Sequence, residues 1–293
     1  RYIYPGKSTK FFNFGVQPIH WYPDFQHKRM SEFFQADEIA ARDKICDAYA
    51  QDKFPLVLSS KDSLNDYKTF YGAAEKKTYV MPFVSYIESM VQKLSSDQEK
   101  QILTKYTLNG TKYVCIMNQF WQHKNHIVVL DAMKIYFSKY PDSQMLFVFT
   151  GQLSDYRAPD YIEKLKALFS ESTISQHSRM LGFIDRTEQI AIMKNAMLVI
   201  QPSLFEGWGT VVEDAKVLDK TILLSDIPVH REQCNHKCKL FNPHNAEALA
   251  ELISQETKDQ HVDDIDAGIA DMYRRAREYS KSFEQLLKDR NPV

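Results

Sequence analysis

Residues 203–232 constrain this chain more than any other stretch. They read Ser203-Leu204-Phe205-Glu206-Gly207-Trp208-Gly209-Thr210, then Glu213-Asp214, and further on Ser225-Asp226-Ile227-Pro228 with Glu232. An acid is followed at once by two glycines, and the glycines lead into a helical pattern with two more acids in its first turns. Carboxylates suited to hydroxyl groups thus stand beside bare backbone N–H groups suited to an anion. That is the polarity of a nucleotide-sugar, in which a hydroxylated sugar and a ribose are joined by a diphosphate.

The remaining composition excludes several classes. With 293 residues the chain is long enough for two ordinary domains. Lys+Arg 37 against Asp+Glu 38 gives a net charge of -1, so no basic excess argues for nucleic acid or an anionic membrane. No apolar run is long enough to span a bilayer and no signal peptide is visible, so the expected location is cytoplasmic. Four cysteines, Cys46, Cys115, Cys234 and Cys238, are too few for a disulfide framework and are read as reduced thiols.

Along the chain, residues 1–53 are rich in aromatics (Phe11, Phe12, Phe14, Trp21, Tyr22, Phe25, Phe33, Phe34), read as core and loop packing. Strand runs are predicted at Phe54–Ser60 and Thr78–Phe83, with a helix at Ser63–Tyr71 between them, and a polar helical linker at 84–110. The second half predicts strands at Tyr113–Asn118, Met145–Thr150, Met180–Ile184, Met197–Pro202, Thr221–Ser225 and Lys239–Asn242. Helices are predicted around 127–136, 158–170, 186–196, 210–218 and 246–255, the third opened by a capping box at Asp185–Glu188. Apolar strands alternating with helices imply an α/β fold, a doubly wound parallel sheet with helices on both faces. The expected organisation is an N-terminal α/β remnant at 1–83, the linker, a C-terminal nucleotide-sugar-binding domain at 111–260, and a helical segment at 261–293 that crosses back to the N-terminal domain.

In such sheets the ligand crevice lies beyond the carboxyl ends of the strands. The loops at Asn118–Lys124, Gly151–Gln152, Phe183–Asp185 and Ser203–Gly209 all follow strand ends and would converge there. Gly207 and Gly209 have no Cβ and let backbone approach a ligand. The helix from Thr210 offers unpaired N–H groups and a positive dipole end to phosphate, and Lys124 adds a mobile ammonium. Glu213 and Asp214 lie about 100° apart around that helix. The apolar positions Val211, Val212, Ala215 and Leu218 define its buried face, which Asp214 flanks and from which Glu213 points nearly away. Asp214 is therefore the better candidate for accepting ribose hydroxyls, and Glu206, in the loop, for the donor sugar.

These residues resemble the donor-binding motif of GT-B-fold, family-4 type retaining glycosyltransferases. The resemblance rests on Glu206, the Gly207-Trp208-Gly209 turn, Asp214 eight positions after Glu206, and Ser225-Asp226-Ile227-Pro228 with Glu232. Leu181-Gly182-Phe183 and Asn118-Gln119-Phe120-Trp121 with His123-Lys124-Asn125-His126 extend it over about 113–257. Tyr22–Lys28 and Val80–Phe83 are similar to the end of such a protein's first domain. The resemblance implies sugar transfer from a UDP-, GDP- or ADP-linked donor with retained configuration, in hexosyltransferase and polysaccharide-biosynthesis chemistry, without a metal or other cofactor. It implies Glu206, Lys124 and His27 as catalytic residues. Gln119, Lys124, Gly151, Phe183, Glu206, Gly207, Trp208, Gly209, Thr210, Glu213 and Asp214 would bind the donor. The acceptor is a glycan, a lipid-linked molecule or a small molecule. Three departures stand out: the second acid is Asp214 with Glu213 adjacent, Gln119 stands where the family usually has an arginine, and the first domain is short. Roughly a hundred residues of an ordinary domain are expected to be absent before Arg1, with peripheral membrane contact through them.

His230, Cys234, His236 and Cys238 place four metal-ligand types close together, but their spacing matches no common finger pattern and the segment is read as loop and strand. Two alternatives stay open: a catalytically incomplete nucleotide-sugar-binding module, and another GT-B enzyme such as a sugar-nucleotide epimerase.

Overall fold

The structure is a computed structural model that describes residues 2–6, 17–72, 77–258 and 262–289; Phe11, Phe12 and Phe14 lie outside the described residues. The chain divides into two compact units, one of residues 1–84, 206–208 and 274–293, the other of 85–205 and 209–273.

The first unit holds a parallel sheet of β1 (Tyr2–Gly6), β2 (Gln17–Tyr22), β3 (Leu56–Leu58) and β4 (Thr78–Val80), in that order across the sheet. Its helices are α1 (Gln26–Arg29), α2 (Ala36–Gln51) and α3 (Lys61–Tyr71). Alternation along β3 sorts its side chains to the two faces. Leu56 and Leu58 pack with Tyr22, Phe25, Cys46, Tyr49 and Tyr67, whereas Val57 packs with Ile19, Met81 and Leu286. The second of these clusters also takes Tyr279 and Phe283, and Tyr79 donates to Asp289 at 2.8 Å, so the C-terminal residues cover that face.

The second unit holds α4 (Glu88–Lys93), α5 (Ser96–Lys105), β5 (Tyr113–Met117), α6 (His126–Lys139), β6 (Leu146–Thr150), α7 (Pro159–Ser170), α8 (Ser172–His177) and β7 (Ser178–Met180). These are followed by α9 (Arg186–Asn195), β8 (Val199–Gln201), α10 (Thr210–Val217), β9 (Ile222–Ser225), α11 (Pro228–Gln233), β10 (Cys238–Phe241), α12 (Ala246–Glu256) and the start of α13 (Ile265–Lys288), whose residues from Arg274 onward belong to the first unit. The six strands are parallel in the order β10-β9-β8-β5-β6-β7. Every residue of β5 and β6 is buried, as a sheet covered on both faces requires. The order runs outward in opposite directions from the β5–β8 pair, and that reversal is where an open α/β sheet leaves a crevice.

In the segment 84–110, expected as a polar helical linker, α4 and α5 form and are part of the second unit, where Lys194 and Asn195 of α9 bond Glu99. The strand expected at 180–184 ends at Met180, because Gly182 turns the chain at φ +69° and Phe183 is left 83% exposed. The capping box at Asp185 is not formed by its side chain, and the Glu188 carboxylate goes to Lys105 and Tyr106, both at 2.6 Å.

His126, the first residue of α6, is fully buried and stacked on Phe120 at 4.3 Å. Burial, with Lys124 and His123 nearby, pushes its pKa down to about 3. The folded state therefore holds the ring neutral where the unfolded chain protonates it, at a pKa of about 6.5. Stability is complete above that value and falls as pH drops toward 3. Between pH 7.5 and pH 5 the loss is about 2 kcal/mol, or roughly 4–8 °C in Tm for a domain of this size. Thermal melts of His126→Phe at the two pH values should show that increment removed; an unchanged pH dependence would place its origin elsewhere.

Candidate functional site

A cleft of about 510 Å³ opens in the second unit at the carboxyl ends of its strands. Its floor is Met117 and Asn118 at the end of β5 and Thr150 and Gly151 at the end of β6. Two loops that leave the sheet at the β5–β8 reversal are fastened to each other above it. Leu204 N donates to His123 O at 2.7 Å, and Asn125 Nδ2 to Pro202 O at 3.1 Å. Below them, Asn118 Nδ2 bonds Gln201 Oε1 at 3.0 Å.

Of the predicted donor residues, Gln119, Lys124, Gly151, Phe183 and Thr210 line this cleft. Gln119 bridges two strand-end loops, its Oε1 accepting from Gln152 N at 2.9 Å. Lys124 closes a single helical turn at Gln122–Lys124, beside the partly exposed Trp121. Gly151 has φ +113°, and a Cβ there would stand 2.3 Å from the carbonyl oxygen of Asn118. The bend at Gly182 presents Phe183 on the cleft wall. Thr210 opens α10, and Thr210 and Val211 line the cleft at the helix N-terminus, the positive end of its dipole.

Glu206, Gly207 and Trp208 belong to the first unit. Trp208 Nε1 donates to Phe83 O at 3.0 Å. The absence of a Cβ at Gly207 has a reason within the chain, since one would lie 2.6 Å from Pro23 O and 2.7 Å from Asp24 Cβ. Gly209 caps α10 and is held on both sides by buried Gln233, which accepts from Gly209 N at 3.0 Å and donates to Gly209 O at 3.1 Å.

The two acids of α10 depart from the helical-wheel expectation. Glu213 does not point away from the buried face; it is fully buried, bonded to Gln233 Nε2 at 3.1 Å and Lys216 Nζ at 3.2 Å. The wheel presumed a helix with one wet side, but α10 is buried from Val211 to its end. Asp214 is also fully buried, and its Oδ1 accepts from Ser85 Oγ and Arg186 Nη2, each at 2.5 Å. Burial raises the Asp214 pKa, opposed by the Arg186 guanidinium. Arg186, which sequence reasoning passed over, lines the cleft together with Asp185 and Gln189.

His27 lies in α1 of the first unit. Its ring is fully buried in the first unit, with Nε2 2.9 Å from Tyr71 Oη and 3.2 Å from Asp43 Oδ1. Phe25, Tyr22 and Phe34 surround it, and burial lowers its pKa. It is a buried side chain of the first unit.

The possible metal ligands at 230–238 are engaged locally: His230 Nδ1 with Ser225 at 2.9 Å, and Cys234 and Cys238 with Asn235. The sequence also holds one Asp-x-Asp triplet, Asp264-Ile265-Asp266, but its first carboxylate caps α13 by accepting from Ala267 N at 3.0 Å. Among the described residues no group of three His, Cys, Asp or Glu side chains is placed to hold a metal ion, and no helix is long and apolar enough to cross a membrane.

Several solved structures share this architecture. HepE from Anabaena, solved with UDP and glucose, is 16% identical over 95% of this chain and 73% of its own, with a TM-score of 0.74. Sucrose-phosphate synthase from Thermosynechococcus elongatus is 18% identical over 92% of this chain and 65% of its own, TM-score 0.65. A UDP-forming alpha,alpha-trehalose-phosphate synthase from Burkholderia xenovorans is 12% identical over 94% and 68%, TM-score 0.70. These likenesses show the α/β fold of parallel sheets. No curated protein matches the sequence. The profile of glycosyl transferases group 1 matches residues 97–283, well over half of the chain. The chain therefore belongs to the glycosyl transferases group 1 family.

Proposed function

We propose that the protein transfers a sugar from a nucleoside diphosphate sugar to an acceptor, with retention of configuration and without a metal ion. The observation that carries this reading is the placement of Lys124 and the open first turn of α10 on one cleft at the sheet's reversal point. An ammonium and unpaired amides suit a diphosphate, whose charge grows as the glycosidic bond breaks. Their neutralising role is the one a divalent cation plays in other transferases. Phe183, exposed on the cleft wall, gives the base a face to stack on. UDP is the first nucleotide to try, since HepE has been solved with it. Glu206 orients the donor sugar by accepting from its hydroxyls. Retention follows if the acceptor attacks from the side the diphosphate leaves.

The test is incubation with UDP-glucose, with and without simple sugar acceptors, following UDP release and the product anomer by NMR. Release of UDP with an α-configured product supports the reading. A β-configured product contradicts retention, and nucleotide binding with no turnover favours the binding-module alternative.

A further inference from the structure

The acid eight positions after Glu206 was expected to receive the ribose hydroxyls directly. In the structure its carboxylate is out of reach. Asp214 has no exposed surface, and its Oδ1 is taken by Ser85 and Arg186. Its Oδ2 is buried without a hydrogen-bond partner. What stands in the cleft is the group Asp214 holds. The Arg186 side chain is 38% exposed, with Nη2 on Asp214 and Nη1 2.8 Å from Gln189 Oε1. A guanidinium has five N–H donors in a fixed plane, so these bonds orient it and leave others to offer.

The position of Arg186 along the cleft says which part of a nucleotide it meets. Lys124 and Thr210 supply the diphosphate chemistry, and Phe183 supplies a stacking face for the base. Arg186 follows Phe183 by three residues and is bonded to Asp214, one helical turn beyond Thr210. The sugar joining base to diphosphate is the ribose. Paired with Asp214, Arg186 brings little net charge, so it acts through directed N–H groups, which suit neutral hydroxyl oxygens. We propose that Arg186 is the ribose-recognising residue of this protein and that Asp214 is a positioning residue that acts through it. Hydrogen-bond polarity at the ribose is thereby inverted: the hydroxyl oxygens accept from the protein instead of donating to a carboxylate.

This inference rests on the nucleotide-binding reading of the same cleft. Calorimetric titration of UDP, 2′-deoxy-UDP and 3′-deoxy-UDP into wild type, Arg186→Ala and Asp214→Asn separates the two. Wild type should prefer UDP over at least one deoxy analogue by about 5- to 20-fold, the worth of one or two hydrogen bonds. Arg186→Ala should bring UDP down to the affinity of that analogue, and because the side chain is partly exposed the variant should keep its fold. Asp214→Asn should do the same to a lesser degree, and Arg186→Lys should restore part of the preference. A preference that survives in Arg186→Ala, or is lost only in Asp214→Asn, overturns the assignment in favour of direct contact by Asp214. Equal binding of ribose and deoxyribose forms by wild type also overturns it. Failure of wild type to bind any of the three would instead count against the nucleotide-binding reading itself.

Discussion

Lys124→Ala is expected to weaken UDP binding about 10- to 100-fold while leaving uridine binding within about twofold, because a hydrogen bond to a charged group contributes about 1.5–3 kcal/mol and only UDP carries the charge. The asymmetry matters more than the size. Lys124 lies in the loop that follows β5, and its backbone N–H closes onto Trp121 O at 2.8 Å, a bond that alanine makes equally well. Alanine there should remove charge without moving Trp121 or Gln119. Paired titrations of UDP and uridine check it. Equal losses for both ligands would mean that Lys124 shapes the cleft and does not bind phosphate. Raising the salt concentration should narrow the difference between wild type and variant, as expected for a contact made by a solvent-accessible cation.

The second large effect concerns stability. Gly151→Ala is expected to cost at least about 3 kcal/mol, or roughly 6–12 °C in Tm. Its φ of +113° lies in a region that side chains rarely occupy, and the added Cβ would overlap three backbone atoms: Asn118 O at 2.3 Å, Asn118 C at 2.9 Å and Gln119 Cα at 3.0 Å. Backbone cannot swing aside as a side chain can. Relief requires the carboxyl ends of β5 and β6 to separate, and these are the cleft floor, so UDP affinity should fall along with Tm. Gly182→Ala is the control. Its φ of +69° is also positive, but a Cβ there meets nothing within 4 Å. Only the conformational cost of about 1 kcal/mol remains. Melting curves showing equal losses in the two variants would refute the role of the close approach at Gly151.

Where sequence and structure coincide, the physics is local. Tyr113–Met117 and Leu146–Thr150 are apolar throughout because both faces of the sheet are covered. The run from Glu206 to Asp214 carried its turn and its helix start in its own letters. Where they part, the deciding contacts come from far along the chain. Glu213 is buried because Gln233, twenty residues later, reaches back to it, and no helical wheel contains that information. Helix α2 went unread because its apolar residues are few and irregularly spaced; only Cys46 and Tyr49 are buried. Strand β7 was placed too late because Leu181, Gly182 and Phe183 read as apolar continuation, whereas the glycine ends the extended run. Arg186 was read only as the first residue of a helix. The signal that could have found it is the pairing problem posed by Asp214, since a carboxylate on a fully buried helix requires a cation or its own protonation.

Glu206, Gly207 and Trp208 pack with the first unit, while Gly209 and Thr210 begin α10 in the second.

The central claim is that the cleft beyond β5 and β6 binds a nucleoside diphosphate. The most direct measurement is calorimetric titration of the protein with UDP, GDP, ADP and CMP, each repeated with Lys124→Ala. The prediction is one-to-one binding of at least one diphosphate and a marked loss of that affinity in the variant. Binding of none of the four by the wild-type protein would contradict the claim.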